Sequence, residues 1–295
     1  MIAMRWGAWL SRARSHWGQA HPRCAACGCT VMRRMWRRIG WWHGRIRLRG
    51  SSYCAPQCFE NAARECFSRA CSSAVAALPV QHRIPLGLLM LSRGQLTHRQ
   101  LRAALDAQQA GGQRRIGEWL EKLGFVTEQE VTTALGLQWA CPVLAWKTQG
   151  DSGCGRMLPY RLLERFRMLP VKFVAASRVF YVAFCEGIDY PALYAIEQML
   201  DCRTEACLIS RSSMDRELER MGHEARVGDL LFESWRDPAA MAHVTCGYAL
   251  NLGVEQVRIV GCGEYIWVSL EAGREVTSLL FLHPLAGPRH QEPSL

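Results

Sequence analysis

The sequence predicts an α+β protein: an N-terminal zinc finger, a tandem αα-hairpin repeat, a small α/β subdomain and a C-terminal α/β segment. Three observations predict it. Two close-spaced cysteine doublets lie early in the 295-residue chain, a 30-residue self-similarity follows, and beyond Cys141 short apolar strand-like runs alternate with helix-like stretches. Hydrophobic residues make up 49% and charged residues 21%, the balance of a chain able to build cores. The longest apolar run is far too short to span a bilayer, and the N-terminus carries no signal-peptide core, so a cytoplasmic protein is expected.

Residues 1–22 read as a basic tail rich in Trp and Arg, with Trp6, Leu10, Ala13 and Trp17 at helical spacing. Residues 1–59 contain eleven Arg and no Lys, Asp or Glu, whereas the other 236 hold 25 basic and 26 acidic side chains. The net charge of +10 therefore sits at one end of the chain. Such a field suits an anionic partner, whether nucleic acid, lipid headgroups or an acidic protein face; it equally fits a solvated Arg-rich segment.

Residues 23–75 are expected to form the finger. Cys24-Ala-Ala-Cys27-Gly28 has the form of a knuckle on a hairpin turn, and Cys54-Ala-Pro-Gln-Cys58 enters a helix running from Phe59 to Cys71. Two thiolates two or three residues apart reach one tetrahedral Zn²⁺, and two such pairs close a structural site. Cys24, Cys27, Cys54 and Cys58 are the expected ligands, with Cys29, His43, Cys66 and Cys71 as possible substitutes. Without a secretory signal, metal binding is favoured over disulfides. Cys141, Cys185, Cys202, Cys207, Cys246 and Cys262 read as small buried hydrophobes.

Residues 79–142 contain the repeat. A 30-residue offset matches Leu86 with Ile116, Gly87 with Gly117, Gly94 with Gly124, Thr97 with Thr127, Leu101 with Val131, Leu105 with Leu135 and Gln108 with Gln138. Each copy reads as a short helix stopped by Gly94 or Gly124 and a second helix opened by a capping box, Thr97 to Gln100 or Thr127 to Glu130. In residues 143–225, a helix from Pro159, strands over Met168–Val174 and Val179–Phe184, a helix over 190–200, a strand over Ala206–Ser210 and a helix capped by Ser212 make the small α/β subdomain. In residues 226–284, Asp237-Pro238 starts a helix ending near Gly253, followed by strands near Val254–Val260, Tyr265–Leu270 and Val276–Leu282. Residues 285–295 are expected to be a disordered tail.

The stretches Leu86–Gln108 and Arg115–Gln138 both resemble the motif Arg-Leu-Gly, spaced aliphatics, Gly, then spaced Leu, Leu and Gln. That tandem motif resembles the GspE/MshE-type N-terminal domain of type II secretion and type IV pilus ATPases, some members of which bind cyclic di-GMP. The resemblance continues through Met157-Leu-Pro-Tyr, Met168-Leu-Pro-Val and Val179-Phe-Tyr-Val to about Met221, and so covers roughly half the chain. It implies a bacterial secretion or pilus setting and a cyclic dinucleotide ligand, here without the ATPase domain. The residues it implies for that ligand are Arg83, Leu86, Gly87, Met90, Gln108, Arg115, Ile116, Gly117, Leu120 and Gln138. Arg115 would offer a bidentate fork to a guanine edge or a phosphate. The first copy departs from the motif: Pro85 stands where Arg is expected, with Arg83 two residues earlier. The same Leu, Ile and Gly spacing also fits hairpins that simply pack on each other.

No G-x-x-x-x-G-K-[ST] occurs, and none of Lys122, Lys147 and Lys172 has the two upstream glycines of that motif, so no phosphate-binding loop for ATP is expected. Gly150-Asp-Ser-Gly153 reads as a polar turn rather than a protease nucleophile segment, and no H-E-x-x-H is present. A non-catalytic regulatory or adaptor protein is expected, acting as a nucleotide receptor or with a protein partner. The alternative is a nucleic-acid-binding protein using its Arg- and Trp-rich N-terminal region.

Overall fold

The computed structural model of the chain describes residues 23–29, 46–73, 83–112, 114–146, 154–223, 229–233 and 237–283. The 1–22 tail, His43, the start of the 79–86 junction, the Gly150–Gly153 turn and the 285–295 tail lie outside the described residues. Helices and two sheets give an α+β fold in two compact units.

The first unit draws on Met1–Arg69, Trp235–Ile259 and Val268–Thr277. Strands β1 (Arg47–Leu48) and β2 (Ser51–Ser52) pair antiparallel across a two-residue turn, Arg49-Gly50, whose φ angles of 51° and 78° are both left-handed. That handedness matches the strand twist of a tight hairpin, and Gly50 adopts it without a Cβ penalty. Helix α1 (Pro56–Ser73) opens with Pro at its first position, where a missing N–H costs nothing. Strand β1 also pairs parallel with a later strand, Arg47 beside Gln256 and Leu48 beside Val257. Residues 47–48 and the C-terminal segment thus share a sheet, a pairing across some two hundred residues that no local pattern announces.

The second unit holds the repeat. Its helices are α2 (Leu86–Ser92), α3 (His98–Gly111), α4 (Ile116–Lys122) and α5 (Glu128–Trp139). Gly94 (φ 71°) and Gly124 (φ 70°) end the short helices in left-handed conformation. Both long helices carry the full reciprocal cap: Thr97 with Gln100, and Thr127 with Glu130. Leu86, Met90, Leu96, Ala104, Leu120, Val126, Val131 and Ala134 form the core of the hairpins.

After these come α6 (Tyr160–Phe166), β3 (Met168–Val174), β4 (Val179–Phe184), α7 (Tyr190–Leu200), β5 (Arg203–Leu208), α8 (Arg211–His223) and β6 (Asp229–Phe232). β3 pairs antiparallel with β4, and β4 pairs parallel with β5 through the crossover helix α7. Phe180, Val182, Ala183 and Phe184 of the central strand are all fully buried; each large one contributes about 1.5–3 kcal/mol. Two expectations shift. The β5 strand begins earlier, at Arg203, because its polar start pairs with Val179 onward. The cap of α8 is Ser210, whose Oγ accepts from the Ser213 N–H at 3.3 Å, not Ser212.

The remaining elements are α9 (Pro238–Asn251), capped by Asp237, and strands β7 (Gln256–Cys262), β8 (Tyr265–Ala272) and β9 (Glu275–Leu282). The larger sheet has the order β2-β1-β7-β8-β9-β6, with β6 parallel to β9. No helix among the described residues is long and apolar enough to cross a membrane.

Candidate functional site

Two groups of residues have the chemistry of a site. In the first unit, the Sγ atoms of Cys24, Cys27, Cys54 and Cys58 all lie within 4.8 Å of one another. Cys27 and Cys54 are 3.3 Å apart and Cys54 and Cys58 3.8 Å. A tetrahedral ion with metal–sulfur bonds of about 2.3 Å needs sulfurs about 3.8 Å apart, so this donor set fits a thiolate-bound metal. Local backbone builds the knuckle: the Gly28 N–H donates to the Cys24 carbonyl at 2.9 Å, the Cys24 N–H to the Cys29 carbonyl at 2.8 Å, and the Ala25 N–H to the Ser52 carbonyl at 3.1 Å. Gly28 takes φ 71° to turn the chain back.

The electrostatics of the group favour thiolates on the knuckle. The Cys29 backbone N–H, then the neighbouring thiols, push Cys27 down to about 6. Burial opposes ionisation of Cys24, but the N–H groups of Cys27, Cys54 and Ala26 outweigh it and hold its pKa below the ordinary value. Cys54 and Cys58 are raised, by burial first. Of the substitute ligands, Cys29, Cys66 and Cys71 stand outside the four-sulfur group, and the Cys66 sulfur accepts from Arg69 at 3.6 Å.

In the second unit the ten residues of the repeat fall into two sets. Leu86, Gly87, Met90, Gly117 and Leu120 are buried, with Ile116 packed beside them. Met90 and Leu120, equivalent by the 30-residue offset, are both fully buried. The glycines permit close helix approach: a Cβ at Gly87 would lie 2.5 Å from Leu101 Cδ1, and one at Gly117 would lie 3.0 Å from Val131 Cγ1. Leu101 and Val131 are themselves equivalent, so each copy repeats the same contact.

The polar set joins the copies. The Gln108 amide donates to the carbonyl of Arg114 at 2.9 Å, and the Gln138 amide donates to that of Ile84 at 2.7 Å. Residues 84 and 114 are also 30 apart, so each copy's Gln caps the entry to the other copy's first helix. Such an exchange is the signature of a local two-fold. The symmetry breaks at the arginines. Arg115, whose side chain is 61% exposed, points Nε at Glu186 Oε2 (3.4 Å) and donates from Nη1 to the Glu186 carbonyl (3.1 Å). Arg83 instead lies over the Trp139 ring, 3.6 Å from its centroid, with Tyr190 at 6.0 Å.

Sequence reasoning missed the partners of Arg115. Glu186, in the loop between β4 and α7, also faces Arg211 Nη2 at 3.6 Å and Arg167 Nε at 4.0 Å. Arg211 pairs more closely with Glu118 (3.0 Å), and Arg167 with Asp215 (2.5 Å). Glu128 at the start of α5 accepts from both the N–H and the hydroxyl of Ser212 at 2.7 Å. These pairs join residues 19 to 93 positions apart. The one available signal was the accumulation of acids in the second copy, Glu118, Glu121 and Glu128, where the first has Leu88, Leu91 and His98.

No protein-family model and no curated protein matches the chain. Among solved structures it is similar to MshE with cdg, at 27% sequence identity over 47% of this chain and 99% of that one, with a TM-score of 0.41. It is also similar to the N-terminal domain of XpsE, 19% identical over 48% of this chain and 98% of that one, with a TM-score of 0.34. A second crystal form of that domain, again 19% identical, covers 48% of this chain and 99% of that one at a TM-score of 0.27.

Proposed function

We propose that the chain is a non-catalytic regulatory or adaptor module whose tandem hairpins receive a cyclic dinucleotide, cyclic di-GMP, and pass that state to a protein partner of a bacterial secretion or pilus machine. The observation that carries this reading is the two-fold exchange of Gln108 and Gln138, which presents two related half-sites to a ligand made of two like halves. Arg115 heads one half, its guanidinium largely exposed. Pro85 leaves the other half without that fork, and Arg83 is engaged on Trp139, so the ligand is held chiefly by the Arg115 half. The buried Leu86, Gly87, Met90, Gly117 and Leu120 set the spacing of the two halves. Calorimetry with cyclic di-GMP on the full chain tests this reading, and the absence of heat at high micromolar ligand would end it.

The four-cysteine group serves as a structural Zn²⁺ site in the same proposal, the all-sulfur donor set being typical of that ion. Held there, the metal would tie the knuckle to the start of α1 and couple the ordering of the two. The missing phosphate-binding loop supports the non-catalytic reading, and a cytoplasmic setting suits cysteines that form no disulfides among the described residues. A second reading, nucleic-acid binding by the finger region, is favoured by the eleven Arg and no acids of residues 1–59. Salt-dependent retention of the full chain on nucleic acid would support it.

A further inference from the structure

We propose that Glu186 is a latch on Arg115, opened when a ligand takes the guanidinium, so that the loop from β4 to α7 registers occupancy of the hairpins. The inference rests on the reading that an anionic or guanine-bearing ligand binds at Arg115. A guanidinium has two edges for two-point contact: Nε with one Nη, and the two Nη together. In Arg115, Nε faces the Glu186 carboxylate and Nη1 donates to the Glu186 carbonyl. One nitrogen of each edge is therefore engaged, and although Nη1 keeps a second N–H, an anionic or guanine-bearing ligand on either edge competes with Glu186 for the guanidinium.

What Arg115 releases is not held firmly by anything else. Arg211 and Arg167 stand 3.6 and 4.0 Å from the Glu186 carboxylate, but each has a nearer acid of its own, Glu118 or Asp215. The loop is pinned on its other side by Trp139, the last residue of α5, packed so close to Gly187 that a Cβ there would lie 2.5 Å from the ring. Its far end is Asp189, whose carboxylate accepts from the Ala192 N–H at 3.0 Å and so caps α7. The second copy thus reaches the loop at adjacent residues, through Arg115 at Glu186 and through Trp139, which lies under Arg83, at Gly187. Loosening Glu186 frees the loop at the cap of the crossover helix. The pair is half solvated, so the latch is weak, and a ligand of modest affinity suffices to open it.

Hydrogen exchange of the full chain, read on the peptide spanning residues 185–191, and calorimetry with cyclic di-GMP test the proposal together. Arg115→Ala and Glu186→Gln should each speed exchange of this peptide without ligand. Saturating cyclic di-GMP should speed it in the wild type and add nothing in Glu186→Gln. Glu186→Gln should bind about two- to fivefold tighter, the factor expected when a solvated ion pair no longer competes. Unchanged exchange in Arg115→Ala, which sits at an exposed position and should fold, would overturn the latch whatever the ligand. Weaker binding by Glu186→Gln would make Glu186 a ligand contact, overturning the latch while the receptor reading stands. Faster exchange in Arg115→Ala with no cyclic di-GMP binding by any variant would sink the receptor reading and ligand-driven opening with it, leaving only a static ion pair.

Discussion

Replacing Gly87 with Ala separates a glycine needed for packing from one that is merely tolerated. A Cβ at Gly87 would lie 2.5 Å from Leu101 Cδ1, whereas one at Gly117 would lie 3.0 Å from Val131 Cγ1 and 3.4 Å from Leu86 Cδ2. In either helix Ala gains about 0.5–1 kcal/mol over Gly from propensity alone. Against that stands overpacking, about 1–3 kcal/mol when neighbours cannot yield. Leu101 is only 8% exposed, so its displaced methyl must enter occupied space. Gly87→Ala should therefore lose about 1 kcal/mol net, while Gly117→Ala, with an overlap of a few tenths of an ångström, should stay within about 0.5 kcal/mol of wild type. Leu101→Val withdraws the offending tip, so the double variant should recover at least about 0.5 kcal/mol relative to the sum of the single changes. Native-state hydrogen exchange of α2 and α3 amides reads local opening without requiring the two units to unfold together. Gly87→Ala protection equal to or above wild type, or strict additivity with Leu101→Val, would refute the close-approach argument.

Three further outcomes follow from named contacts. The N–H and hydroxyl of Thr127 hold Glu130 below its ordinary value of 4.5. A depressed folded-state pKa gives stability that is present above the unfolded value and lost as pH falls through the folded one, so the first turn of α5 should exchange faster below about pH 4.5. The equivalent turn of α3 should not, because Gln100 replaces the acid there. Glu128→Ala removes both bonds to Ser212 and should destabilise the start of α8 by about 1–2 kcal/mol, seen as faster exchange confined to that turn. Cys54→Ser should lower the zinc content of purified protein from about one ion per chain to a small fraction, with loss of far-UV helix signal from α1.

What was legible in the sequence was what depends on near neighbours. The caps at Thr97 and Thr127, the left-handed stops at Gly94 and Gly124, and the cysteine spacing all act within a few residues, and each stands where its local chemistry puts it. The short apolar runs of β3, β4, β8 and β9 were readable for the same reason. Pairings at long separation were not. Nothing around Arg47 announces Gln256 as its strand partner, and nothing around Arg115 announces Glu186. The choice of Ser210 over Ser212 as a cap turned on Glu128, 84 residues away, claiming the second serine. The same spacing of Gly and Leu that the resemblance assigns to a ligand also builds the hairpin core, and period alone cannot divide those roles.

The central claim, a ligand site headed by Arg115, is tested most directly by calorimetry of cyclic di-GMP with the full chain and with Arg115→Ala. Losing one bidentate charged contact removes about 1.5–3 kcal/mol, so the account predicts saturable binding that weakens roughly ten- to hundredfold in the variant. Binding of equal affinity in both proteins, or no heat from the wild type at high micromolar ligand, would contradict it.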